Sequence, residues 1–277
     1  MKQLALGRYI PYDTIIHRLD PRAKIIGLGA LLIAIFLPMT AWGYGLLIAF
    51  TLLLLKLTKV KLVSVYRSLK PMWFMMLFLF VFNVLLVRSG EILFTIFGYS
   101  VYQNAIIQTI SIFLRLSMMV SITTVLTAST KPLDLTYGLE SLFSPLKVIR
   151  FPAHEIAMTI SIALRFIPTL LEETEKIMKA QASRGVDLNE GKLNEKITAI
   201  VSLIIPLFIS SFQRSEDLAN AMEARGYNPS GKRTRYRLLK WANHDTGALI
   251  IVLLIAGITL LFGLYPNWLN EVLVWLV

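Results

Sequence analysis

Long apolar runs alternate along this chain with short basic intervals, and that alternation predicts helices that cross a bilayer. A spanning helix takes roughly 20 mostly apolar residues, fewer where flanking side chains snorkel or the bilayer thins. Five runs meet this requirement, at about residues 25–38, 40–56, 71–88, 106–128 and 247–265, the first two joined by a tight turn at Pro38-Met39-Thr40. Between the fourth and fifth runs the pattern changes. Residues 129–245 carry both signs of charge, yet apolar stretches interrupt them at 156–171 and 197–213.

That interval divides into three predicted helices. Pro132 to Lys147 places Leu133, Leu135, Leu139, Leu142 and Phe143 along one side. The second opens at Pro152, a residue suited to a first helical turn. It continues as Ile156, Ile160, Ala163, Leu164, Ile167, Leu170 and Leu171 at helical spacing. It then passes Pro168, becomes charged from Glu172 to Lys179, and closes at Arg184-Gly185. The third repeats the scheme: Ile197 to Phe212 is apolar and contains Pro206, Gln213 to Glu223 is charged, and Arg225-Gly226 closes it.

The second and third helices form a soft internal repeat. Each arginine should lie roughly 24 to 29 Å beyond its proline at about 1.5 Å per residue. A proline inside a helix removes a hydrogen bond and usually bends it. Bent helices lying along the inner leaflet fit this pattern better than two further spans, although hydropathy alone leaves a hairpin of two more spans open. The fold class predicted is all-α, a polytopic membrane protein with about five transmembrane helices and a cytoplasmic set of long helices. It falls into three parts: an N-terminal arm with helices 1–4 over 1–128, the cytoplasmic helical region over 129–245, and the last span with an external C-terminus over 246–277.

Composition sharpens the assignment. The chain has 277 residues, 56% of them hydrophobic and 16% charged, with a mean hydropathy of +0.64; a soluble domain this apolar would aggregate. It has no cysteine, which excludes disulfides, thiolate metal sites and cysteine nucleophiles. The net charge of +11 is explained by the positive-inside rule before nucleic acid need be invoked. The N-terminal arm carries Lys2, Arg8, Arg18, Arg22 and Lys24, and the 56–70 loop carries Lys56, Lys59, Lys61, Arg67 and Lys70. The 38–41 turn has no Lys or Arg, and the 88–104 connection has only Arg88. The N-terminus is therefore expected in the cytoplasm and, with five spans, the C-terminus outside. Trp42, Tyr44, Trp73, Trp241, Tyr265 and Trp268 fall near segment ends, as interfacial aromatic belts do. Met1 to Asp20 has no apolar signal-peptide core and is expected to be retained.

Candidate chemistry is sparse. His17, His154 and His244 are too scattered for a metal site, and no local arrangement suggests a catalytic triad. No Gly-x-x-x-x-Gly-Lys-Ser/Thr occurs; Gly231-Lys232-Arg233 lacks both the earlier glycine and the following hydroxyl. The chain is therefore expected not to hydrolyse ATP, so energy for any driven process must come from another subunit. Lys232, Arg233, Arg235, Arg237 and Lys240 precede the last span and read as a juxtamembrane anchor to anionic headgroups. No nucleic-acid-binding motif accompanies them. Arg115 lies inside the fourth apolar run; it either pairs within the bundle or faces a partner subunit.

The two Arg-Gly closures are the most specific feature. Taken singly, each is an ordinary helix end, with glycine in the left-handed conformation and a cation against the negative end of the dipole. Their duplication on similarly built helices suggests two equivalent docking prongs. Arginine offers a rigid fork of donors that keeps its charge. The residues before each arginine are small (Ala180, Ala182, Ser183; Ala219, Ala221, Ala224), so a partner can approach closely.

In order along the chain, several stretches carry a family resemblance. They are His17-Arg18-Leu19-Asp20-Pro21-Arg22-Ala23-Lys24, Thr130-Lys131-Pro132-Leu133-Asp134-Leu135, Gly138-Leu139-Glu140, Ser144-Pro145-Leu146, Leu164-Arg165-Phe166-Ile167-Pro168, and the two Arg-Gly ends. Nearly the whole chain resembles the transmembrane T component of energy-coupling factor (ECF) transporters, which import vitamins and metal ions in prokaryotes. The resemblance implies a non-catalytic scaffold in the cell membrane whose two long coupling helices dock on a pair of ABC-type ATPase subunits. By position Arg184 and Arg225 take the docking role, with Ser183, Gly185, Ala224 and Gly226 shaping the tips. Ser183 stands where alanine is commoner. The resemblance further implies that the apolar surfaces of these helices hold a substrate-binding S component. It also implies that ATP and Mg bind the ATPases, leaving this chain without a cofactor.

Two other functions remain to be weighed on the residues. A conventional ABC permease would line its spans with polar groups, and apart from Arg115 and Asn83 the spans are nearly featureless. An intramembrane enzyme would gather Asp, His or Arg at the membrane face for acid-base or metal work. Here the polar residues concentrate at helix ends instead.

Overall fold

Asp20-Pro21 starts the first long helix as the physics of helix ends requires. The Asp20 side chain accepts a hydrogen bond from the Arg22 backbone N–H at 2.8 Å, satisfying one of the free donors of the first turn. Pro21 sits where a missing N–H costs nothing. The computed structural model describes residues 9–37, 40–96, 99–145, 152–185, 193–228 and 239–264. The chain forms two compact units, one of residues 1–150 with 239–277 and the other of residues 151–238.

The first unit comprises α1 (Ile15–Arg18), α2 (Pro21–Phe36), α3 (Ala41–Thr58), α4 (Leu62–Leu69), a 3-10 turn at Lys70–Met72, α5 (Trp73–Leu86), β1 (Ile92–Ile96), β2 (Tyr99–Tyr102), α6 (Gln103–Ser129) and α7 (Pro132–Phe143). The last helix of the chain, Asn243–Leu264, also belongs to it. That helix packs on α2, and the buried Asp245 joins their beginnings. Its carboxylate accepts from the Asp20 N–H at 2.8 Å and from the Ala242 N–H at 2.8 Å. Both helices therefore start at the same end of the bundle. Lipid tails are as apolar as leucine, so association in a membrane depends on close packing rather than on burial from water. Gly27 serves this purpose, since a Cβ there would lie 3.5 Å from Val252 Cγ1.

Leu31, Ile35, Leu47, Phe50, Met118 and Ile122 form the central cluster. A second cluster of Ile16, Leu55, Val60, Val65, Val125 and Ala128 lies where the N-terminal arm meets the end of α3 and the end of α6. The Ile10 N–H donates to the Ala128 carbonyl at 3.0 Å, tying the arm to this end. Arg115 finds its partners inside the bundle. Its Nε donates to the Tyr44 hydroxyl at 2.9 Å, a guanidinium nitrogen lies 3.4 Å from the Leu37 carbonyl, and the guanidinium sits 5.9 Å from the Tyr44 ring centre. Of the two readings of Arg115, pairing within the bundle is the one observed.

Two details differ from the sequence expectation. The 88–104 connection contains an antiparallel hairpin, with Ile92 opposite Tyr102 and Ile96 opposite Tyr99 and an irregularity between Ile92 and Phe94. β-branched and aromatic residues favour this pairing, but the segment is too short to register beside the long apolar runs. The count of spans is also approximate. Among the described residues, six helices are long and apolar enough to cross a membrane, at 41–58, 62–86, 103–129, 154–183, 196–224 and 243–264. The first predicted span is a helix of only 16 residues, whereas two of the six lie in the region expected along the inner leaflet.

The second unit contains α8 (Ala153–Ser183) and α9 (Leu193–Ala224), with Pro168 and Pro206 inside them. The final helix, Asn243–Leu264, is α10. The short helix expected from Pro132 to Lys147 is α7, and it packs on α2 within the first unit. Gly138 permits the approach; a Cβ there would lie 3.1 Å from Ile25 Cδ1 and 3.2 Å from Pro21 Cβ. Lys2, Arg8, Pro38, Met39, Leu146, Lys147, Lys232, Arg233, Arg235, Arg237, Tyr265 and Trp268 lie outside the described residues.

Candidate functional site

Both Arg-Gly ends fold alike. Gly185 has φ 81° and Gly226 has φ 73°, the left-handed region that glycine enters without a Cβ penalty. The Gly185 N–H donates to the Ala182 carbonyl at 3.0 Å, and the Gly226 N–H donates to the Glu223 carbonyl at 2.8 Å. At the second end the Tyr227 N–H also reaches the Met222 carbonyl at 3.0 Å, completing a Schellman motif. Each arginine is thus the last residue before the chain turns off its helix. Ser183, Arg184, Gly185, Ala224, Arg225 and Gly226 are all exposed, and a Cβ added at either glycine would meet nothing within 4 Å.

Four bonds from α8 to α9 and the turn that follows it set their register. Tyr227 Oη lies 3.3 Å from Met158 Sδ. Midway, Glu173 takes a hydrogen bond from Ser210 Oγ at 2.7 Å on one oxygen and from the Arg214 guanidinium on the other. Further along, Gln181 Nε2 donates to the Ser202 carbonyl at 3.2 Å. As the α8 number rises, its α9 partner's number falls, so the helices are antiparallel. The two arginine tips consequently lie at opposite ends of the pair. From Met158 to Gln181, α8 rises about 35 Å at the usual rise per residue, which is the scale of the separation between the tips. The charged half of each helix runs beside the apolar half of the other, and the charged halves overlap only around Glu173 and Arg214. Thr169, Glu172, Lys176, Ile177 and Ala180 complete a groove of mixed character there of about 520 Å³.

The sequence pointed to both tips, but not to the bonds that fix their geometry. Glu173, Gln181, Ser210 and Arg214 are ordinary polar residues on charged or mixed helical segments. Only Pro206 offered a signal: it has no N–H, so the Ser202 carbonyl one turn earlier needs another donor.

Within the first unit, a polar knot joins several of the stretches that carried the family resemblance. Lys24 Nζ donates to the Ser129 carbonyl at 3.1 Å, to Thr130 Oγ1 at 3.1 Å and to the His17 carbonyl at 3.3 Å. His17 in turn contacts Thr14 Oγ1 at 2.6 Å and the Ile10 carbonyl at 3.1 Å. A carbonyl can only accept, so Nε2 carries the proton and Nδ1 accepts from Thr14. Burial holds this imidazole below its ordinary pKa, with the Lys24 charge adding to the effect and the bond to Ile10 opposing it. Asp20, Ser129, Thr130, Glu140 and Asp245 are all buried, and each has a partner in keeping with the cost of burying polar groups.

A family model described as cobalt transport protein (CbiQ) matches residues 13–236. The energy-coupling factor transporter transmembrane protein EcfT of Bacillus subtilis (strain 168) is 43% identical over 258 residues, covering 93% of this chain and 97% of the relative. Its counterpart from Lactococcus lactis subsp. cremoris is 41% identical over 263 residues, covering 95% and 99%. That of Exiguobacterium sibiricum is 44% identical over 259 residues, covering 94% and 98%. The chain belongs to the EcfT family. It is a multi-pass membrane protein and the transmembrane component of an ECF transporter. As an EcfT, it is a membrane subunit of a transporter.

Proposed function

We propose that this EcfT chain couples ATP hydrolysis by two ABC-type ATPase subunits to the movement of a substrate-binding S component, and so drives uptake of a vitamin or metal ion. The observation that carries this reading is the pair of like-built ends at Arg184-Gly185 and Arg225-Gly226, exposed at opposite extremes of one antiparallel pair. Two equivalent cationic tips about 35 Å apart suit two equivalent grooves on a two-fold ATPase dimer. Arg184 and Arg225 would engage carboxylates or carbonyls, while Ser183, Gly185, Ala224 and Gly226 allow close approach. ATP and Mg would reside on the ATPases.

The S component would cover part of the exposed apolar surface. On α9, Ile197, Ile204, Phe208 and Phe212 are all exposed, and a surface of this kind calls for lipid or a hydrophobic partner. For orientation, the N-terminal arm and the Lys56–Lys70 segment meet at one end of the bundle. Their shared positive charge favours a cytoplasmic N-terminus, with the far end of α10 outside.

The test is co-purification of the tagged chain with the ATPase subunits, and substrate uptake, for R184E, R225E and the double variant. Each single variant should lose at least tenfold in ATPase attachment, as an unpaired interfacial charge costs about 2–5 kcal/mol. Full assembly and uptake by the double variant would remove the docking role. Turnover of a lipid by the purified chain alone would favour an intramembrane enzyme.

A further inference from the structure

We infer that Glu173, Ser210, Arg214 and Gln181 lock α8 and α9 into a single bar, so that the two arginine tips keep a fixed separation and move together rather than independently. The inference rests on the reading that the tips are docking points, because it concerns how motion at one tip reaches the other.

Apolar packing alone leaves the register of two helices unfixed. Along α9 the large apolar residues Ile197, Val201, Ile204, Phe208 and Phe212 are exposed, so they do not interlock with α8. The less exposed side of α9 holds Ala199, Leu203 and Leu207, and such apolar contacts are non-directional, so they can recur at ridge positions about 5.4 Å apart, one helical turn. Directional bonds are what distinguish one register from the next. Glu173 supplies two of them, since Ser210 and Arg214 occupy one carboxylate oxygen each. These partners are four residues apart on α9, one turn on one face, so a one-turn slip would leave Glu173 with at most one of them. Gln181 adds a bond near the first tip, to the Ser202 carbonyl at 3.2 Å. This acceptor has no competing helical donor, because the residue four positions on is Pro206. The Glu173 side chain is only 24% exposed and that of Arg214 37%, so their attraction is screened less than that of a pair in open water.

A fixed bar has a mechanical consequence. Because a rigid bar cannot stretch, displacement of a groove that holds one tip moves the other tip and the apolar face with it, and that displacement is what the apolar face can deliver to a partner. A sliding pair would absorb the same motion between its own helices.

The chain contains no cysteine, so spin labels can be placed on A182C and A221C in the full-length protein, in lipid nanodiscs, and their distance distribution measured by pulsed electron paramagnetic resonance. Both positions are exposed and lie beside the tips. The unmodified bar should give one narrow distribution. E173A and the S210A/R214A pair should each broaden it at least twofold or add a second distance. E173Q keeps an acceptor for Ser210 and loses only the ion pair, so it should fall between; E216Q, an exposed control, should change nothing. Equal widths in unmodified, E173A, E173Q and S210A/R214A proteins overturn the inference. Loss of ATPase attachment in R184E and R225E with no effect of Glu173 on the distance removes the bar alone. The reverse pattern, intact attachment in the tip variants with broadening in E173A, leaves the bar and removes the docking reading.

Discussion

The side-chain amide of Gln181 donates to the backbone carbonyl of Ser202 at 3.2 Å, the carbonyl that Pro206 deprives of its helical donor. One helix thereby repairs a defect in the other. Replacing Gln181 by alanine leaves that carbonyl without its interhelical donor and should cost about 1–2 kcal/mol. Proline 206 replaced by alanine restores an N–H for Ser202, so Gln181→Ala should cost less in that background. A double-mutant cycle on denaturant or thermal unfolding measures the coupling, expected at about 1 kcal/mol. Equal costs of Gln181→Ala in both backgrounds would show that the bond contributes nothing beyond the helix.

Gly185 and Gly226 are expected to resist substitution for a backbone reason alone. Among the described residues, no atom beyond the adjoining stretch of chain lies within 4 Å of a Cβ at either site, yet both φ angles are positive. Alanine should cost about 1 kcal/mol at each tip and weaken ATPase attachment by realigning the preceding arginine. Asparagine, which tolerates the left-handed region better, should recover part of the loss. Affinity measurement on the Gly→Ala and Gly→Asn pairs distinguishes this from simple steric exclusion, which would rank the larger asparagine as worse.

Gly138 presents the opposite case, because its restriction is steric. With Ile25 Cδ1 at 3.1 Å and Pro21 Cβ at 3.2 Å from a built Cβ, the isoleucine tip can yield but the proline ring cannot. Gly138→Ala should lower stability by about 1–2 kcal/mol and Gly138→Val by more, read as a falling thermal midpoint in detergent. A neutral valine would mean that α7 docks less closely on α2.

Lys24 holds three acceptors at the end of α6 and in the arm. Lys24→Met keeps the apolar stem and removes the donors, leaving the part-buried His17 and Ser129 carbonyls and Thr130 Oγ1 without their charged partner. The expected loss is about 3 kcal/mol. Lys56→Met, at an exposed position, should stay within about 0.5 kcal/mol of the parent. A matched pair of unfolding curves decides between a structural knot and a bystander charge.

The arm should loosen in acid. Burial lowers the His17 pKa in the folded state, so the neutral form stabilises the arm fully above the unfolded value of about 6.5. That contribution is lost as pH falls from there through the lower folded value. Protonation would turn Nδ1 from an acceptor into a donor facing Thr14. Hydrogen exchange at Ile10, whose N–H bonds to Ala128 at 3.0 Å, should speed up at pH 5.5 relative to pH 7.5 after correction for the intrinsic rate. His17→Asn should flatten the dependence; the same acceleration in that variant would assign it to another group.

The membrane class, the helical segments and the two Arg-Gly ends are legible in the sequence, because each is written in local chemistry. Apolar run length reports bilayer crossing, and an Arg-Gly pair after a helical period reports a left-handed cap. The His17–Lys24 and Thr130–Leu135 stretches were visible too, but their meeting through Lys24 was not, since 105 positions separate Lys24 from Ser129. Only the tertiary structure decided that α8 and α9 run antiparallel and carry their arginines to opposite ends. Two helices with the same apolar-then-charged order look alike in sequence whichever way they pack. Their relative direction depends on which side chains meet across the interface, and Glu173 with Ser210 and Arg214, and Gln181 with Ser202, acquire that significance only when the register brings them within hydrogen-bonding distance.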